Sequence, residues 1–437
     1  MKCSSLIVSL FVLGVICPEA PAQTQTTEID RLVRPRTVTR ANPSQTPAKV
    51  PQAPDVVSRP AEVTQPPLVK NEASPNASAA TTTPESAAVG AHATHFTPVD
   101  IQSRISEAKR LFKSRPMPTA LGAPQITFVN IAALDRSTSR IHVVPLAKQT
   151  FLTKGSETKM ISSLGSPVTV RILRANGVNT ALTVFTDDGQ SLSPLVVEFP
   201  IEKGGLFKEL AYYTSAHPAL LSKDLARSGQ FYVRDMLDLA AKRLRERGVF
   251  ISNDLINIAE RLCIVEHVDH DRFRNENRLA LYDEIYSLYG LNHVDTYRYS
   301  VSWAGAGGMV QMIPWAYNLE RQRHPGVGLI PDFVTGMRNH GNALQAMLLY
   351  MQDTWNDLAA NDEVKYALNA KIATMSELMA AGYNSNAAKL PGYLRRGGND
   401  WRVLIPRETQ MYLQIYKSFD SLVPIKDRPS GTAQSGR

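Results

Sequence analysis

Cysteine is nearly missing from this chain: there are three in 437 residues, and Cys3 and Cys17 both lie near its start. Cys263 stands alone in the remainder, which excludes an internal disulfide and a thiolate zinc site there. Long apolar runs are missing as well. Leu6 to Ile16 is a run of about eleven mostly apolar residues, short of the roughly 20 that a spanning helix needs, and no later stretch is long enough. The string His-Glu-x-x-His does not occur. His267 and His270, with Asp269 and Asp271 beside them, would share a helix face. Cys263-Ile-Val-Glu266-His267, however, lacks the first histidine of an inverted zinc motif, so no metal site is assigned. Basic residues are in excess, with a formal net charge of +8, yet they are scattered and form no recognisable nucleic-acid module. That balance suits anionic partners, and nucleic acid is not expected among them.

The order of what is present implies export. Lys2, the apolar run and Ala20-Pro21-Ala22 read as a signal peptide over residues 1–22, with cleavage before Gln23 and a periplasmic or cell-envelope destination. Membrane anchoring would need either an uncleaved leader or lipid attachment at Cys17, before which Val15 and Ile16 are bulkier than a lipid-attachment box prefers. Residues 23–97 are rich in Pro, Ala, Thr and Ser, with few aromatics and no sustained periodicity, and are predicted to be a disordered tether.

A multidomain α+β architecture is predicted beyond the tether. Residues 98–205 should hold a helix at Val99 to Lys113, with Ile101, Ile105, Ala108 and Leu111 on one face, and then a small all-β sandwich or barrel. Its strands are expected around Ile126 to Ile131, Ile141 to Val144, Val168 to Leu173, Ala181 to Phe185 and Leu195 to Phe199, separated by turn formers such as Asp187-Asp188-Gly189. No catalytic constellation falls in this module, so docking to envelope-complex proteins is its expected role, against that of a spacer. Residues 206–422 read as helical. Val233, Leu237, Ala240, Ala241 and Leu244 form a stripe, Ala343 to Met351 is apolar on nearly every side, and Glu363 to Ala381 and Arg407 to Leu422 add helices. Residues 423–437 read as a flexible tail.

One carboxylate departs from its helix pattern. A helix capped near Ser252-Asn253-Asp254 carries Leu255, Ile258, Ala259, Leu262 and Cys263 at helical spacing. Glu266 follows Leu255 by nearly three whole turns and so continues the apolar stripe, whereas Glu260 falls on the more polar side. A carboxylate in apolar surroundings is costly unless paired or protonated, and a carboxyl that keeps its proton near neutrality can serve as a general acid. The structural alternative is an ion pair with Arg272 or Arg338, or a helix end open to solvent.

Downstream, Ser302-Trp-Ala-Gly-Ala-Gly-Gly-Met-Val-Gln311-Met312-Ile-Pro314 gathers small residues that allow close backbone approach, and a glutamine able to donate and accept. Ala381-Gly382-Tyr383-Asn384 and Glu408-Thr409-Gln410-Met411-Tyr412 follow in order. From Asn253 to Leu422 the chain resembles the peptidoglycan lytic transglycosylases, whose core carries a catalytic glutamate at a helix end, then Ser-x-x-Gly-Ala-x-Gly-x-x-Gln-x-x-Pro, an Ala-Tyr-Asn segment and, in many members, Glu-Thr-x-x-Tyr. It departs from them in having His267 where serine usually follows the glutamate, and in a longer spacer before Ser302. His267 would either hydrogen-bond the carboxylate or, as a cation, lower its pKa.

The resemblance implies an α-helical lysozyme-like domain without metal or cofactor, acting on peptidoglycan glycan strands. One glutamate, Glu266, would protonate the glycosidic oxygen and then take the proton of the muramoyl 6-hydroxyl, leaving a 1,6-anhydro end. Ser302 and Gln311 would position the sugar, Met312 would keep the glutamate dry, and Tyr383 and Asn384 would support glutamate, substrate or loop. Met312 equally suits ordinary core and Asn384 a helix cap, and Glu408 reads as a first-turn helix charge. Tyr299, Trp303 and Trp315 offer either sugar-stacking surfaces or aromatic core. The rival function is a non-catalytic peptidoglycan-binding or assembly scaffold of a secretion system or pilus.

Overall fold

The computed structural model describes residues 97–114, 127–203, 206–215, 217–218, 220–294 and 305–429. The leader, most of the tether, Ser302, Tyr299 and Trp303 lie outside the described residues. Among the described residues no helix is long and apolar enough to cross a membrane. Two compact units are present, one of residues 351–417 and the other of the described residues up to 350 together with 418–429.

In the larger unit, helix α1 (Pro98–Ser114) buries Ile101, Ile105, Ala108 and Phe112. They pack in one cluster with Ala132, Leu134, Val143, Leu195 and Val196 of the β module. The expected face ended on Leu111. Phe112 takes that place, four residues beyond Ala108, because the larger ring fills the core, and Leu111 turns outward at 37% exposure. Burying such side chains stabilises the contact by about 1.5–3 kcal/mol each.

The β module is a nearly closed antiparallel sheet of strands β1 (Phe128–Leu134), β2 (Ile141–Ala147), β3 (Glu157–Ile161), β4 (Pro167–Arg174), β5 (Ala181–Thr186), β6 (Ser191–Lys203) and β7 (Leu206–Tyr213). Its order is β2-β1-β6-β5-β4-β3, and β7 also pairs with β6. Long β6 therefore serves three neighbours, pairing β5 at Ser191 and Leu192, β1 over Ser193–Glu198 and β7 over Val197–Lys203. Strand β7 corrects the expectation of helix from Leu206 onward. Gly204-Gly205 between two runs is a hairpin signal, and the register indeed pairs Lys203 with Leu206.

The C-terminal part is 57% helical. Helix α2 (Lys223–Glu246) buries the five stripe residues expected of it. It crosses α4 (Arg278–Leu291) at two glycines: a Cβ on Gly229 would lie 1.8 Å from the Tyr286 carbonyl oxygen, and one on Gly290 2.9 Å from that of Leu225. Only backbone without side chain permits this approach. Helix α3 (Asn253–Val265) starts where Ser252 accepts from the Leu255 N–H at 3.3 Å.

Polar ties hold the β module to these helices. Asn292 donates to the Thr214 carbonyl at 2.7 Å and accepts from its N–H at 2.9 Å. Arg174 at the end of β4 reaches Glu284 of α4 at 3.0 Å, and Arg272 forks onto the same carboxylate with two bonds of 2.9 Å. Burial raises the Glu284 pKa, but the bonds from Arg272 and the charge of Arg174 outweigh it and the net shift is downward.

Part of the stretch read as a flexible tail is firmly bonded. Residues 424–429 cross α2 and α3. Pro424 accepts from Gln230, Lys426 from Arg234, and Pro429 from Asn253. Buried Arg428 reaches Glu260 at 2.5 Å and Asp238 at 2.6 Å.

Further helices include α5 (Pro314–Arg323), α6 (His340–Ala360), α7 (Met375–Asn384) and α8 (Arg407–Leu422). In α6 the apolar residues from Ala343 to Met351 are fully buried, as their pattern predicts. The single helix expected over Glu363 to Ala381 is two, Asp362–Asn369 and α7. Lys371 takes φ +57 between them, and Thr374 with Glu377 forms a capping box that starts the second. Within the same unit, Arg402 forks onto Glu377 at 2.6 and 3.0 Å beside fully buried Trp401.

Candidate functional site

Helix α3 is buried from Leu255 to Val265, and this decides what Glu260 and Glu266 do. Glu260 is 1% exposed, not on a polar face as its spacing suggests. It is neutralised by Arg428 and, at 3.2 Å, by Arg234. Glu266 is the C-cap of α3, with φ −61 and ψ −19. It is half-buried: the apolar stripe runs up to the cap, and the carboxylate sits at the helix end rather than within the stripe. Arg272, one of the partners considered for it, is committed to Glu276 and Glu284. Arg338, the other, has Glu209 at 2.6 Å as one of its partners. Cys263, three residues earlier, is held as a thiol. Its pKa is pushed up by burial first, then by the charges of Glu260 and Glu266.

His267 answers the question raised by the missing serine. Its Nε2 lies 3.0 Å from the Met309 carbonyl oxygen. A carbonyl only accepts, so Nε2 carries the proton. Burial pushes the His267 pKa down to about 4 against the effect of this bond, so the ring is neutral at ordinary pH and places no cation beside Glu266. The same carbonyl lies 3.2 Å from the Tyr289 hydroxyl of α4, which donates to the Cys263 carbonyl at 2.5 Å. His267 and Tyr289 thus bolt the 305–313 loop to the end of α3. Tyr289 was not among the residues expected in the site, and no local pattern marks it, because its partners lie 20 and 26 residues away.

The loop is a tight turn. The Gly307 N–H donates to the Met312 carbonyl at 3.1 Å. Gly308 has φ +71, and a Cβ there would sit 2.5 Å from the Met337 carbonyl oxygen. Gln311 adopts φ +45, a left-handed conformation that costs a non-glycine residue free energy and concentrates at functional sites. It is buried, and its amide donates to the Gly308 carbonyl at 2.7 Å. Met312 is 1% exposed, in keeping with either role considered for it. Pro314 then opens α5, and Trp315 in its first turn remains 39% exposed, available to stack on a ligand.

Tyr232, His293 and His340 form a further polar cluster. The Tyr232 hydroxyl lies 2.7 Å from His340 Nδ1 and accepts from the Val294 N–H at 2.6 Å. Its ring stacks on His293 with centroids 4.4 Å apart. Val294 has φ +64. Burial, then the neighbouring His293 and His267, push the His340 pKa down to about 3, so the ring is neutral at ordinary pH. This cluster too was absent from the expected set.

The structure therefore brings Glu266, His267, Gln311 and Met312 onto adjoining segments. Tyr383 and Asn384 belong to the smaller unit, in the last turn of α7. Both are buried, and the Ser385 hydroxyl donates to the Ala381 carbonyl at 2.8 Å to close the helix end. Asp269 and His270, considered as metal ligands, open a short helix: Asp269 accepts from the N–H groups of Asp271 and Arg272 at 2.9 Å each. Comparison of the chain with protein-family models, with curated proteins and with solved structures finds no match.

Proposed function

We propose that the helical part is a lysozyme-like domain of an exported protein that cleaves the MurNAc–GlcNAc bonds of peptidoglycan as a lytic transglycosylase, with Glu266 as its one acid and base. The observation that carries this reading is the joint between the α3 end and the glycine turn. A half-buried carboxylate caps a helix, and the next residue locks onto a loop that holds a strained glutamine.

The chemistry follows from that position. The C-terminal end of a helix carries partial negative charge, which favours the protonated carboxyl, and neutral His267 does not oppose it. Glu266 gives its proton to the oxygen leaving C1 of N-acetylmuramic acid. As the carboxylate, it then takes the proton of the 6-hydroxyl while that oxygen bonds C1. The ring closes to the 1,6-anhydro sugar, the glutamate regains its proton, and no water is consumed. This differs from the usual pair of carboxylates. Gln311 and Trp315 supply hydrogen-bonding and stacking contacts to the sugars, with Ser302, Tyr383 and Asn384 assigned supporting roles.

The test is digestion of purified sacculi by the mature chain and by Glu266→Gln, with released muropeptides identified by mass spectrometry. Anhydro-muramoyl products from the wild type alone are expected. No release from either folded protein, with sacculus binding retained, would favour a wall-binding assembly scaffold instead.

A further inference from the structure

We infer that a groove on the β module, where the last turn of α1 meets the β1–β2 and β3–β4 turns, docks an acidic, leucine-bearing peptide segment of a partner protein. The groove encloses about 480 Å³, within the range of specific ligand sites. It is lined by apolar Leu111, Ile141 and Leu164 and by charged Arg110, Arg140 and Glu107. Leu111 and Leu164 are 37% and 36% exposed. Leu111 is here because Phe112 took the core position on α1, so an apolar side chain stands on the helix's outer face.

The walls are fixed. The Ser163 N–H donates to the Val143 carbonyl at 2.8 Å, and the Val143 N–H donates to the Ser163 hydroxyl at 2.9 Å, fastening the β3–β4 turn to β2. Asp135 ties the β1–β2 turn by accepting from the Ser137 N–H at 2.8 Å and the Thr138 hydroxyl at 2.7 Å. The carboxylates nearby are already engaged. Glu107 bonds Arg104 at 2.7 Å. Burial raises the Asp135 pKa, but the Ser137 and Thr138 bonds prevail and hold it at about 2. Among the described residues Arg110 and Arg140 make no such pair, so beside the engaged Glu107 the groove presents two guanidiniums and three apolar side chains.

Charge complementarity selects an acidic occupant. The three apolar side chains select a peptide over a glycan, whose surface is mainly hydroxyl. A segment alternating leucine with glutamate would satisfy both, using guanidinium–carboxylate forks. This inference stands independently of the transglycosylase reading.

The experiment is fluorescence polarisation of a fluorescein-labelled peptide alternating leucine and glutamate, titrated with the full mature chain. Binding that weakens about tenfold or more in Arg110→Glu/Arg140→Glu, and also in Leu164→Asp at an exposed turn, is the expected result. Binding should fall with added salt, be absent for the leucine–lysine peptide, and leave sacculus digestion unchanged in both variants. Equal affinity for wild type and variants, or no binding by the wild type, would overturn the assignment. So would loss of sacculus co-sedimentation in the variants without peptide binding, since the groove would then serve wall carboxylates.

Discussion

Glu260 within α3 and Glu266 at its C-cap stand less than two turns apart and are handled in opposite ways. Glu260 is buried among charges, with Arg428 at 2.5 Å, Arg234 at 3.2 Å, and Asp238 sharing the Arg428 guanidinium. Glu266 stands at the helix end next to a neutral imidazole and a strained turn. At Glu260 every charge is compensated, and the result is rigidity. The segment that follows Glu266 is held instead by neutral hydrogen bonds: His267 and Tyr289 both reach the Met309 carbonyl. On the proposed reading, burial alone does not mark the catalytic carboxylate. The more buried of the two is the structural one.

This contrast can be broken from either side. Glu266→Gln should have the largest effect on wall cleavage, lowering the rate of muropeptide release by about 10³-fold or more, while its urea midpoint stays close to that of the wild type. Arg428→Met should do the reverse. Removing one partner of a buried pair costs about 3–5 kcal/mol, and the retained Arg234 contact places this variant at the low end. Urea unfolding followed by circular dichroism measures it, and a loss below about 1 kcal/mol would contradict the structural role given to the strap of residues 424–429.

The acid response sharpens the same comparison. The His267 pKa falls on folding to about 4 from an ordinary 6.5, so the unfolded chain binds more protons between those values. Its contribution is fully present above about pH 6.5, declines as the pH drops, and is lost below about 4. His340 and His217, pushed down to about 3 and about 4 by burial, act in the same direction. Stability measured from pH 7 to 4 should fall, and His267→Asn should flatten the slope. The smallest effect is expected of Gln311→Gly. Relief of the positive φ offsets the lost amide bond, so stability should change by no more than about 1 kcal/mol, while cleavage drops. A strong destabilisation would mean that the glutamine serves the fold.

What was legible in the sequence was local. The α2 stripe and the run from Ala343 to Met351 speak through spacing alone, and both are buried as expected. The α3 start also follows from its cap, whereas the period alone carries Glu266 into the apolar stripe and gives no sign that the helix ends on it. Glu260 was misplaced because its partner Arg428 is 168 residues away, and nothing near either residue announces the pair. The same distance effect turned the 424–429 strap into a tail on paper: its bonds come from α2 and α3 side chains, and a stretch without periodicity gives no sign of them. Strand β7 was lost for another reason, since a short run beside Gly204-Gly205 was read by its helical downstream neighbours. The sequence leaves His267 two roles because its tautomer is set by Met309, 42 residues on, and its charge by burial.

The most direct test of the central claim is the digestion of sacculi in ¹⁸O-labelled water with mass analysis of the new muramoyl ends. If Glu266 serves as both acid and base, the released ends are anhydro and carry no label, and Glu266→Gln releases none. Reducing ends that each gain one ¹⁸O would show that water attacks C1, and the single-carboxylate account would be wrong.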